Sequence, residues 1–159
     1  MTNTFLEQGT TLSWLNAAGD EIITLTSLAD AAARQGEEHD FGALWPPLVR
    51  IELETIVAVG PTAGVPINVY WASSQDGADY DGEMGAADAA VADINQLLRC
   101  HFVGVLAADN DTATIRGSWV FPLPARYGLP IVENKSGQAL SAVAASHHVK
   151  VTPINPDNA

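Results

Sequence analysis

Four acidic side chains fall within eight positions of the stretch SSQDGADYDGEMGAADAA (73–90): Asp76, Asp79, Asp81 and Glu83. Carboxylates at this density, spaced by glycine, suit a calcium site, acid–base catalysis or a solvated loop. Spacing tests the first of these. Asp79-x-Asp81-Gly82 matches the start of an EF-hand loop, but the glycine comes too early. Ala90 also stands where the bidentate glutamate that closes such a loop belongs. An irregular oxygen-lined calcium site built from Asp76, Asp79, Asp81 and Glu83 remains the minor reading. The preferred reading is a solvated connection whose length and charge vary without touching the core. In it glycine supplies the turns and aspartate keeps the chain wet.

Other candidate chemistry is sparse. Glu52 and Glu54 lie on one face of a predicted strand, as paired carboxylates of a glycosidase would, but they read as solvent-facing. No Gly-x-Ser-x-Gly elbow, P-loop or GxGxxG is present, and Ser146-His147-His148 is not how triads are built. His39, His101, His147 and His148 lack metal-ligand spacing. Cys100 is the single cysteine, so no intrachain disulfide is available, and its apolar flanks suggest a small core residue. These residues predict neither enzyme chemistry nor a cofactor. Two further places suit interfaces. Trp45 sits in ALWPP, a rigid extended entry or a docking edge. Arg126 and Tyr127 sit at the centre of the Pro- and Gly-rich FPLPARYGLPIVENKSGQAL (121–140). They serve either as interface anchors or, for Arg126, as partner to a local carboxylate.

The elements that would position these residues are mostly strands. Period-two alternation marks LVRIELETIVAV (48–59), with Val49, Ile51, Leu53 and Thr55 opposite Arg50, Glu52 and Glu54. INVYWASS alternates likewise. LLRCHFVGVLAA (97–108) predicts Leu98, Cys100, Phe102 and Leu106 on one face, and ATIRGSWVF predicts Ile115, Gly117, Trp119 and Phe121 on one face. GTTLSWL, EIITLTSL, LPIVENK and HHVKVTPI complete the set. Trp14, Trp71 and Trp119 fall within strand alternation and read as core. Helix is expected in only two short places, SLADAAARQ capped by Ser27 and, more weakly, GAADAAVADINQ. About eight strands without βαβ alternation predict one all-β domain over 1–159. The expected architecture is an antiparallel β-sandwich, jelly-roll-like, with one or two short helices. Roughly the first eight and last five residues are expected to be flexible or arm-like.

Composition bounds the partners. The 159 residues carry 7 Lys+Arg against 19 Asp+Glu, a net charge of −12, while 47% are apolar and only 16% charged. Acidity disfavours nucleic acid and anionic membrane surfaces. A sparsely charged, apolar chain hides that surface in its own core or against neighbours. MTNTFLEQGTTLSW has no signal-peptide pattern, and no apolar run is long enough to span a membrane, which predicts synthesis in the cytosol. The sequons at Asn110 and Asn134 read as chance matches.

TSLADAAARQ, LWPPLVRIELET, VAVGPTAGVPINVYWASS, CHFVGVLAADNDTATIRG and PARYGLPIVENKSGQALSA, followed by HHVKVTPI, together resemble small structural proteins of tailed bacteriophages. The likeness spans roughly residues 25–154. It implies a non-enzymatic virion component, synthesised in the host cytoplasm, that works as a homo-oligomer on a major capsid protein or other virion proteins. Capsid decoration or cement is the preferred role. A head-fibre, collar or tail module contacting the host surface is the alternative, and a carbohydrate-binding or carbohydrate-active domain the second. The resemblance carries no active-site residue.

Overall fold

A computed structural model describes residues 5–16, 19–61, 63–108 and 112–157. The chain runs through β1 (Phe5–Gln8), β2 (Leu12–Leu15), β3 (Glu21–Ile22), β4 (Ala32–Gln35), β5 (His39–Asp40) and β6 (Leu48–Thr55). It continues through β7 (Pro66–Ser74), β8 (Ala89–Ala90), β9 (His101–Ala107), β10 (Ile115–Pro122), β11 (Tyr127–Asn134) and β12 (His148–Asp157). Two sheets result, with strand order β10-β6-β12-β2-β3 in the first and β8-β4-β11-β7-β9 in the second. β1 also pairs with β12, and β5 with β11. Every pairing is antiparallel except β2 with β3. The molecule is an all-β sandwich. Of the two ends expected to be arms, Phe5–Gln8 pairs with Ile154–Asp157; the residues beyond lie outside those described.

The inward faces follow from alternation. Val49, Ile51, Leu53 and Thr55 of β6 are fully buried, and they meet Ile67, Val69, Trp71 and Val132 of the facing sheet together with Trp14, Val149 and Val151. Trp14 and Trp71 cross edge-on, 6.2 Å apart at 77°, the geometry aromatic quadrupoles favour. The Trp71 indole lies directly over Gly128, leaving no room there for a Cβ, and Trp119 covers Gly104 in the same way.

Both expected helices and one strand face differ from the expectation. SLADAAARQ forms no helix. Ser27 and Ala31 adopt left-handed φ values of 55° and 58°, and Ala32–Gln35 pairs with Asn134–Ile131. A nine-residue Ala-rich segment cannot sustain a helix alone, whereas pairing on β11 buries Ala33 and Gln35. GAADAAVADINQ likewise gives the short β8 and then a 3-10 turn, Ile94–Arg99, whose N-cap Asp93 accepts from the Asn95 amide. Among the described residues helix is limited to three short 3-10 turns. Finally, Phe102 does not share the inward face of Leu106. Tyr70 pairs with Phe102 but Val69 pairs with Gly104, so a bulge at Val103 reverses the phase and turns Phe102 outward.

A second, smaller core lies on the outer face of the second sheet. Tyr80, Met84 and Leu97, from the connection between β7 and β9, pack on Ala33, Ala72, Leu129 and Ile131. This explains why β11 is buried on both faces from Gly128 to Asn134.

Candidate functional site

The acidic stretch begins this covering connection. Asp76 caps its own turn: its Oδ1 accepts from Ser74 Oγ (2.9 Å) and from the amides of Ala78 (3.0 Å) and Asp79 (3.3 Å). The Ala78 amide contributes most to holding the Asp76 carboxyl below the usual range. Asp81 Oδ2 accepts from the Ser73 amide (3.0 Å) and pairs with His101 Nε2 (3.2 Å). Glu83 pairs with Arg99 at 2.5 Å, which lowers its carboxyl. Asp76, Asp79, Asp81 and His101 line one groove of about 350 Å³; Glu83 is not among its walls. No group of three or more His, Cys, Asp or Glu among the described residues is placed to hold a metal ion. The expectation of a loop that leaves the core untouched is corrected. Tyr80 and Met84 are buried, and the Tyr80 hydroxyl donates to Glu38. The apolar residues lie among the acidic ones, so charge alone hid the anchor.

The three interface candidates are placed around a neighbouring loop. Arg126 forks onto Asp40, with Nε–Oδ1 at 2.6 Å and Nη2–Oδ2 at 2.5 Å, and its Cζ lies 4.8 Å from the Tyr127 ring centroid. These bonds hold the Asp40 carboxyl down to about 2. Tyr127 itself pairs with Asp40 of β5 and Ser74 of β7. Asp40 opens the loop that carries Leu44, 96% exposed, and Trp45. Backbone bonds from Phe41 to Arg126 (3.0 Å) and from Leu123 to Pro47 (3.1 Å) fix both ends of that loop.

Sequence reasoning missed the open outer face of the first sheet as a unit. Glu52 and Glu54 of β6, Arg116 and Ser118 of β10, and His148 and Lys150 of β12 wall a groove of about 190 Å³, floored by Leu53 and Gly117. Register brings them together, with Glu54 opposite both Arg116 and His148, and Glu52 opposite both Ser118 and Lys150. Arg116 Nε donates to Glu54 Oε2 at 2.7 Å and chiefly for that reason holds the Glu54 carboxyl low; His148 Nδ1 stands 3.8 Å from Glu54 Oε1. Arg50 pairs with Glu52 at 3.2 Å. Lys150 differs from the other six basic side chains. Arg34, Arg50, Arg99, Arg116, Arg126 and Lys135 each pair with a carboxylate, and among the described residues Lys150 pairs with none.

The two sheets also end side by side. β9 closes the second sheet and β10 the first, and among the described residues neither has a further partner strand. HFVGVLA and IRGSWVFP contain no Asp or Glu. Phe102 (56%), Val105 (49%) and Val120 (63%) are exposed on them.

Two reactive-looking residues are structural. Half-buried Cys100 has its thiol pushed up to about 11, first by burial and then by Asp81. His147 is buried, with Nδ1 2.8 Å from Thr55 Oγ1 and Nε2 2.8 Å from the Ser141 carbonyl. The carbonyl only accepts, so Nε2 carries the proton and Nδ1 accepts from the Thr55 hydroxyl. Asn134, in one of the two sequons, is fully buried and donates to Leu28 O and Gln138 O; Asn110 lies outside the described residues.

No protein-family model matches the chain, and no curated protein matches it.

Proposed function

We propose that this protein is a non-enzymatic structural component of a tailed-phage virion, acting as a capsid decoration or cement subunit. One observation carries the reading. Two adjoining sheet edges, β9 and β10, present open strands free of acidic residues in a chain of net charge −12. Natural sandwiches blunt such edges with charges, prolines or covering segments, because an open edge pairs with another chain. Here β10 carries one charge, Arg116, and a proline only at its end. The overall net charge of −12 disfavours association, and these edges add no carboxylate to it. Symmetric association through the edges gives the oligomer, and contact with the major capsid protein follows the same chemistry. Binding confined to the assembled shell stabilises it by mass action. The resemblance to phage structural proteins supplies the biological setting, including synthesis in the host cytoplasm.

The test is assembly. Mass photometry is expected to show a defined oligomer, and the protein is expected to cosediment with empty tailed-phage capsids. Val105→Lys with Val120→Lys, which charges both edges, is expected to give a folded monomer. A wild type that stays monomeric and never associates with capsids defeats the reading.

A further inference from the structure

We propose that the groove on the outer face of the first sheet binds one acidic sugar unit, its carboxylate on Lys150 and its hydroxyls on Glu52, Glu54 and Ser118. Charge selects the class. Around this groove stand three of the seven Lys and Arg, namely Arg50, Arg116 and Lys150, with Glu52 and Glu54 as the carboxylates in its walls. The two glutamates pair with Arg50 and Arg116, whereas Lys150 forms no ion pair among the described residues and acts on Glu54 only at longer range. On the flank, Asp20 stays ionised, its carboxylate accepting from the amide (2.8 Å) and hydroxyl (3.1 Å) of Ser13, the residue opposite Lys150 on β2, and makes no ion pair with Lys150. An ammonium without a close ion pair offers a place for one carboxylate. A phosphate dianion or polyanion would set a second negative charge against Glu52 and Glu54.

The glutamates then have a use. Carboxylate oxygens accept only, so beside a monoanion they call for hydroxyl donors, and Ser118 both donates and accepts. A single carboxylate ringed by hydroxyls describes a uronic-acid type of unit. The groove's size suits one such unit, and no described segment covers it as the 75–100 connection covers the other sheet. This inference is independent of the assembly reading. Assembly is measured by particle mass and uses β9 and the edge of β10.

The experiment titrates the full-length protein with D-glucuronate, D-glucose and inorganic phosphate, following backbone amides by NMR. Glucuronate is expected to give saturable shifts confined to β6, β10 and β12, with glucose much weaker. Lys150→Met removes a charge-assisted contact and is expected to weaken glucuronate about tenfold or more. Arg99→Gln, which removes the same charge from the covered side, is expected to leave binding unchanged. Absence of saturable shifts, equal binding of glucose, tighter binding of phosphate, or an unaffected Lys150→Met overturns the proposal. If Lys150→Met is poorly folded, the contrast between glucuronate and glucose on the wild type decides.

Discussion

The two outer faces of the sandwich are built from similar strands and end in opposite states. On the second sheet, β7 and β11 carry Ala72, Leu129 and Ile131 outward, and the long connection after β7 lays Tyr80, Met84 and Leu97 over them. On the first sheet, β6 and β12 carry Glu52, Glu54, His148 and Lys150 outward, and that face stays open around a charged groove. The difference teaches that an acidic, Gly-rich connection is no guide to exposure: a few apolar anchors suffice to make it a second wall. The uncovered face keeps its charges in contact with solvent.

Charged groups on the two faces behave accordingly. Glu133 lies under the cover with 2% of its side chain exposed. Burial raises its pKa, but Lys135 at 2.8 Å and Asn68 at 2.7 Å, with further help from Tyr70, outweigh that and leave it lowered. Asp88, in the covering connection, is held low against burial in the same way by Arg34 and Thr24.

The largest expected effect tests the cover. Leu129→Ala opens a cavity between β11 and the connection, with an expected loss of about 2–5 kcal/mol. Glu52→Ala, outward on the open sheet, is expected to change stability by less than about 1 kcal/mol, since it removes only a part-exposed ion pair. Equal losses in chemical unfolding would erase the distinction between the faces.

Glu133→Ala comes next. It leaves the Asn68 amide and Tyr70 hydroxyl without their acceptor, for an expected loss of about 1–3 kcal/mol. Because the folded pKa of Glu133 is lowered, its stabilisation is full above the unfolded value near 4.5 and fades as pH falls below it. The wild type is therefore expected to lose more stability than Glu133→Ala on acidification through that range. Parallel pH profiles would show that the carboxylate does not carry this contribution.

Buried His147 gives the interior its own pH test. Burial, the leading cause, lowers the pKa of His147, so it is neutral in the fold. Its contribution is fully present above 6.5 and is lost as pH falls from there through its lowered folded value. Melting temperature is expected to drop as pH falls below 6.5, and His147→Gln to flatten that drop. An undiminished drop in His147→Gln would show that this imidazole does not carry it.

The smallest effect concerns the acidic loop. Among the described residues Asp79 bonds through its amide and not its side chain, so Asp79→Ala is expected to change stability within about 0.5 kcal/mol. Millimolar calcium is expected to leave the melting temperature unmoved. A calcium-dependent rise reversed by EDTA would revive the metal site at Asp76, Asp79 and Asp81.

Much of the sandwich was legible because β6 and β10 alternate strictly and one side of each meets water. The second core was not, because β11 is buried on both faces and gives a nearly continuous apolar run with no marked outer side. Phe102 was misplaced because a one-residue bulge reverses the phase of every residue before it, and periodicity carries no sign of the extra residue. The groove was half legible: Glu52 and Glu54 share a face by spacing alone, but Arg116, His148 and Lys150 come from strands 60 or more positions away.

The sequence by itself determined the all-β class, the inward faces of the regular strands and the acidity of the surface, since these depend on local alternation and composition. Tertiary structure alone decided which face is covered, which carboxylates find cations and which cation is left free. Those outcomes depend on register between distant strands and on where a long connection comes to rest, and neither is written in any local window of the chain.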